Sequence, residues 1–195
     1  MIKGAGKMSE MVLTIPSKLI EGEGIIKMSL TDLEKLVSKN TMFFERQFVE
    51  TEPNYKQLIP YVVLKDDNQY IIYKRTTNQT EERLHNLYSI GIGGHINVDD
   101  KAPTVLGTIM SGMLREIEEE VSFEIENLKY VGLLNYNGNP VSQVHLGIVF
   151  IAEGKFYGVN EKDNFEIYLD NDLTKYLDKF EDWSRIVAEY LLEKE

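Results

Sequence analysis

The chain contains no cysteine, which excludes disulfides and thiolate zinc sites. No apolar run approaches the roughly eighteen residues of a membrane span, and Met1 to Lys7 lack the apolar stretch of a signal peptide. The expectation is a soluble cytoplasmic protein. Basic residues are scarce, 21 against 32 acidic ones, for a net charge of −11. Such a balance repels nucleic-acid backbones and anionic membranes, so neither is an expected partner. It also repels a phosphorylated small molecule. A phosphate-handling site in so acidic a chain therefore needs a metal to bridge the charges.

A hydrophobic content of 43% is present, enough for a full core. No internal repeat or low-complexity linker interrupts the 195 residues. Residues 1–10 read as a frayed, disordered terminus, and 11–195 as one domain with an N-terminal elaboration over about 11–50. In that elaboration Thr31-Asp32-Leu33-Glu34 has the form of a capping box opening a short helix, and Thr41 to Val49 alternates as a strand would. Leu58–Leu64, a turn at 65–69 and Tyr70–Tyr73 predict a hairpin. Gly91, Gly93 and Gly94 predict close backbone approach or positive φ. A helix is expected over Pro103–Ser122, then strands at Leu128–Leu134 and Val144–Ala152. One or two amphipathic helices over 172–193 carry a core-facing aromatic stripe. Alternating strands and helices imply an α/β or α+β sandwich with a mixed sheet.

The most informative segment is Arg115-Glu116-Ile117-Glu118-Glu119-Glu120-Val121-Ser122-Phe123. At about 100° per residue from Glu116, Glu119 falls near 300° and Glu120 near 40°, so three carboxylates share one side of a helix while Glu118 points away. Met113, Leu114, Ile117 and Val121 form the neighbouring apolar stripe. Like charges at this spacing repel, and a hard divalent cation with oxygen ligands would neutralise them. The simpler alternative is a solvated acidic helix face.

Together with Gly93-Gly94-His95-Ile96-Asn97, this segment resembles the Nudix box of the MutT-like pyrophosphohydrolases: Gly, five residues, Glu, seven residues, Arg-Glu-apolar-any-Glu-Glu-any-Gly-apolar. Gly94, Arg115, Glu116, Ile117, Glu119, Glu120 and Phe123 fall in place. Two positions depart. The box glycine is Ser122, and the spacer is long, so Gly107 stands eight residues before Arg115 where the pattern has Glu. The extra residues are expected in the polar loop Asp99 to Pro103, with Asp99 or Asp100 as the replacement acid. From about Leu13 onward the chain is also similar to an uncharacterised group of predicted MutT-family phosphoesterases, through Tyr55–Leu64, Arg83–His85, Ser89–Asn97, Asn139–Val141, Val144–Gly147 and Trp183-Ser184.

The resemblance implies a Nudix-type α/β/α sandwich and a hydrolase acting on a diphosphate linkage in a small nucleotide-derived metabolite. It implies Mg²⁺ or Mn²⁺ held by Glu116, Glu119, Glu120 and the Gly93 carbonyl, with Arg115 orienting the carboxylates. One of these carboxylates, or a late-loop acid, would be the general base. Glu161 is the candidate by spacing, with Asp163 and Glu166 behind it. His95, Arg75 and Arg83 are candidate phosphate contacts, alongside Lys74. His85 and His145 also lie in family-like segments, but three scattered histidines without cysteine do not spell a zinc site. The resemblance makes a second copy of the chain a candidate partner, since dimers are frequent in the superfamily. A non-catalytic sensor of nucleotide or sugar diphosphates is the alternative. An isomerase on the same fold ranks lower, because its known form uses a catalytic cysteine.

Overall fold

The computed structural model describes residues 9–75, 87–160 and 165–194. Its frame is strand β4 (Tyr55–Asp66), nearly all of it buried. Strands preceding it are β1 (Met11–Pro16), β2 (Gly24–Ile26) and β3 (Met42–Glu45); following it are β5 (Gln69–Arg75), β6 (Tyr88–Ser89), β7 (Gly91–Gly93), β8 (Val121–Asn135), β9 (His145–Val159) and β10 (Phe165–Asp170). The sheet runs β10-β5-β4-β9-β8-β2, with β1 and β7 also on β4, β3 on β1 and β6 on β5. The sheet is mixed: β4 and β9 pair in parallel from Gln57–His145 to Asp66–Gly154, and the other pairs named are antiparallel.

Side chains alternate along β4, so its two faces serve two cores. Leu58, Val62 and Leu64 pack with helices α1 (Leu30–Asn40) and α3 (Val105–Glu120). Tyr61 and Val63 pack with α5 (Asp182–Leu192). The result is an α/β/α sandwich. Short helices α2 (Arg46–Val49) and α4 (Pro140–Gln143) connect strands. Among the described residues no helix is long and apolar enough to cross a membrane.

Several expectations shift locally. The cap of α1 is Ser29, whose hydroxyl accepts from the Asp32 N–H at 3.1 Å, two residues before the expected Thr31. The strand expected over 41–49 stops at Glu45, and Arg46–Val49 turns into α2. Helix α3 begins after Thr104, whose hydroxyl accepts from the Gly107 N–H at 3.0 Å, so Pro103 lies outside it. The helix ends at Glu120, because Val121 already starts β8. The apolar stripe of α3 is Ile109, Met113 and Ile117, all buried, whereas Leu114 faces outward. The hairpin turn between β4 and β5 is tighter than expected, with Asp67 at a φ of 50°, a conformation aspartate tolerates.

Gly91, Gly93 and Gly94 have no positive φ; they serve close approach. A Cβ on Gly91 would enter the Tyr61 ring, which is buried and cannot swing away. Gly91→Ala is expected to cost about 1–3 kcal/mol of stability, as overpacking does. Urea unfolding of the variant checks this, and an unchanged midpoint would contradict it.

Candidate active site

Helix α3 brings the acidic segment against the glycine turn. A Cβ on Gly94 would collide with the Glu116 carboxylate, so that carboxylate lies directly on the Gly94 backbone. Arg115 ties the corner together. Its Nε and Nη2 donate to the two oxygens of Asp100 at 2.9 and 3.0 Å, and Nη2 also donates to the His95 carbonyl at 2.8 Å. Its Nη1 donates to Glu116 at 2.7 Å and reaches Glu119 at 3.4 Å.

Asp100 therefore fills the acid position left open by the long spacer. It stands six residues after Gly94, where the pattern places Glu, so the extra residues lie between Asp100 and Arg115. Asp100 also accepts from the Asn97 N–H at 2.7 Å. Burial pushes its carboxyl up, but the bonds from Arg115 and Asn97 outweigh this and hold it below the usual carboxylate range. Burial pushes the Glu116 carboxyl up; Arg115 counters this, while Glu119 and Asp100 add to it. One guanidinium thus serves three carboxylates, leaving uncompensated negative charge beside Gly94.

The acidic corner opens on a cavity of about 710 Å³ lined by Gly93, Gly94, His95 and Glu120 at this end. Its far wall comes from α2, from α4 and its flanks, and from the start of α5. His95 and His145, far apart in sequence, meet here with their Nε2 atoms 3.3 Å apart. The His145 Nδ1 lies 2.6 Å from the Val141 carbonyl. A carbonyl only accepts, so Nδ1 carries the proton and Nε2 accepts from His95. Burial is the main cause that lowers both imidazoles, His95 to about 3, with Arg46 adding to it. Both are neutral at ordinary pH, so His95 faces the cavity as a neutral ring.

The α4 wall is fastened from beneath by Lys56, a lysine only 3% exposed. Its ammonium donates to Asn137 Oδ1 at 3.1 Å and to the carbonyl of Gln143 at 3.0 Å, with those of Ser142 and His145 at 3.4 Å. Asn139 caps α4 by accepting from the Ser142 N–H at 2.8 Å and donates to Asp182 at 3.0 Å. Glu181 caps α5, accepting from the N–H groups of Trp183 and Ser184 at 2.9 and 2.8 Å. The Ser184 hydroxyl accepts from the Ile90 N–H at 3.1 Å and lies 2.7 Å from the Tyr61 hydroxyl, locking α5 to β4 and to the bend between β6 and β7.

Of the candidate residues, Gly93, His95, Arg115, Glu116, Glu119 and Glu120 fall at this corner. Arg83, Glu161, Asp163, His85 and the side chain of Arg75 lie outside the described residues. Lys74 and Glu166 pair with each other at 2.9 Å across β5 and β10. Among the described residues no three Asp, Glu or His side chains converge as a ready-made metal cage. Sequence reasoning did not find Lys56, Arg46, Glu50 or Asp182. The Asn139-Pro140 pair was the one available signal, since a cap residue followed by proline opens a helix.

No protein-family model matches the chain. It is 29% identical to Protein YmaB of Bacillus subtilis (strain 168), over 95% of this chain and 99% of that protein. The crystal structure of Tm1382, a candidate Nudix hydrolase, superposes with a TM-score of 0.86 at 36% identity, over 95% of this chain and 100% of that one. At the level of fold alone, the NUDIX domain of Shewanella oneidensis NrtR, crystallised with ADP ribose, matches 71% of this chain and 88% of that one, with a TM-score of 0.53 and 13% identity.

Removing the Asp100 charge should leave Arg115 half-partnered. Asp100→Asn is expected to lose about 2–3 kcal/mol at neutral pH, the low side of a broken buried pair because the guanidinium is partly exposed. A carboxyl held low in the folded state contributes stability above its unfolded pKa of about 4, and that contribution is lost as pH falls through the folded value. The variant should therefore have a flatter acid limb below about pH 4 in a pH series of thermal melts. A parallel offset at every pH would exclude the charge as the cause.

Proposed function

The chain belongs to the Nudix superfamily, and on that premise we propose that it is a divalent-metal-dependent hydrolase of a diphosphate linkage in a small phosphorylated metabolite. The observation that carries the reading is the corner where Arg115 binds Asp100, the His95 carbonyl and Glu116, with Glu116 lying on Gly94 at the end of a cavity. The nucleotide-derived character of the substrate is supported only at the level of fold, by the ADP ribose of the NrtR domain.

The donor set fits Mg²⁺ or Mn²⁺. Hard oxygen ligands are what these ions select, and the charge around Arg115 is negative in excess. Glu116, Glu119, Glu120 and the Gly93 carbonyl would hold the ion. When bound, it supplies Lewis-acid polarisation of phosphate oxygens and lowers the pKa of water. The chain's own residues do the rest. Arg115 fixes the rotamer of Glu116, and Asp100 fixes Arg115. Glu120, at the cavity wall, and Glu161 are the candidates to accept the proton from the attacking water. His95, neutral beside its partner imidazole, offers a polar ring edge without a full charge.

A second reading, a non-catalytic binder of nucleotide or sugar diphosphates, is favoured by one observation. Glu116 is engaged by Arg115, and the described residues contain no converged three-acid cage.

Product release from a panel of diphosphate compounds, with and without Mg²⁺ or Mn²⁺, separates the two. Metal-dependent turnover that falls by two or more orders of magnitude in Glu119→Gln and Glu120→Gln is the expected result. Near-normal turnover in both variants would remove the assigned site, and binding without turnover would favour the sensor.

A further inference from the structure

Neighbouring strands bring three polar side chains together at the α4 end of the cavity. Gln57 lies on β4, and its register partner on β9 is His145. His95 follows β7, which pairs with β4 along the opposite edge. Side chains alternate along β4, so Gln57 shares a face with Ile59 and Tyr61, both on the cavity wall. The two imidazoles meet over that face, one from each side of the strand that carries Gln57. Gln57 is fully buried, yet its amide oxygen and nitrogen both lack a hydrogen-bond partner among the described residues. Buried amides are satisfied in nearly all folded proteins, so this one points to a further group that completes it.

The imidazoles have the geometry of ligands. Their Nε2 atoms are 3.3 Å apart, with ring centres at 5.4 Å. That is long for a hydrogen bond, which settles near about 2.9–3.0 Å. It matches the separation of two nitrogens that share one tetrahedral ion at about 2.05 Å from each, which is about 3.3 Å. His145 already donates its Nδ1–H to the Val141 carbonyl, the outer bond that commonly orients a metal-binding histidine. Both rings are held neutral, as ligands must be. Arg46, whose charge acts on both rings, is offset by its bonds to Glu10 at 2.9 Å and Glu50 at 2.8 Å.

We propose that His95 Nε2, His145 Nε2 and the Gln57 amide oxygen bind a divalent transition ion such as Zn²⁺ or Co²⁺, with a fourth position open to the cavity. His95 takes the matching tautomer by carrying its proton on Nδ1 in place of Nε2. Imidazole nitrogens select such ions over Mg²⁺, which the carboxylate corner suits better. The two sites therefore differ in the ion they take, and this one does not rest on the hydrolase reading.

The full-length protein, free of any histidine tag and in saturating Mg²⁺, would be titrated with Co²⁺ and followed by visible absorption. The expected result is the intense spectrum of tetrahedral cobalt, saturating at one ion per chain and displaced by Zn²⁺. His145→Gln and Gln57→Leu should each weaken binding by about tenfold or more, and Glu119→Gln should leave it unchanged. No tetrahedral spectrum would overturn the proposal; so would a spectrum lost in Glu119→Gln, or an affinity unaffected by His145→Gln or Gln57→Leu. Long-range ¹H–¹⁵N spectra of the unaltered protein give a readout that no folding defect can imitate. Zn²⁺ should shift the Nε2 signals of two of the three histidines in parallel and leave their Nδ1 atoms protonated. Zn²⁺ that moves one histidine or none would exclude the shared site.

Discussion

One guanidinium organises this molecule's chemistry. Arg115 reaches the acid on the turn before the helix, the backbone after the glycines and the first carboxylate of the box within a single fork. Arginine suits this role because its planar donors satisfy several oxygens at fixed angles. Without it, Glu116 and Asp100 would be buried acids with no compensating charge, and each would drift towards its neutral form. The glycine turn would also lose the bond that sets its distance from α3. The acidic corner is thus one unit in which turn and helix are mutually dependent.

The long spacer becomes intelligible in the same terms. Fourteen residues separate Asp100 from Arg115 where the pattern has seven. The seven additional residues correspond to about two turns of helix at 3.6 residues per turn. An insertion close to whole turns leaves Arg115 on the face it would otherwise occupy, and the contact with Asp100 survives. An insertion of two residues would have rotated the arginine by about 200°. Ten of those fourteen residues, Val105 to Leu114, lie in α3, and its C-terminal half still presents Arg115 to Asp100.

Much of this was legible in the sequence, and the reasons for the exceptions are physical. The three glutamates, Arg115 and the glycine turn declared themselves because a helix face and a short motif are local patterns. The hairpin of β4 and β5 and the core stripe of α5 were readable for the same reason. Leu114 was misplaced because a seven-residue pattern alone does not fix the edge of a buried stripe. The far wall of the cavity was hidden. Lys56 and Asn137, His95 and His145, and Asn139 and Asp182 are 81, 50 and 43 residues apart, and no local period connects them. The choice between Asp99 and Asp100 stayed open because the two, adjacent and chemically alike, are told apart only by which one Arg115 reaches.

The buried ammonium of Lys56 also bears on when the cavity comes into being. Its acceptors lie 81 to 89 residues further along the chain, brought within reach by the parallel pairing of β4 with β9. Parallel pairing closes a long loop, and contacts of this separation form late and slowly. The acidic corner, by contrast, spans only fifteen residues from Asp100 to Arg115. The corner can assemble on a partly folded chain, whereas the wall awaits the nearly complete sheet. During folding, such a chain would hold its carboxylates in place before it has anywhere to seat a ligand.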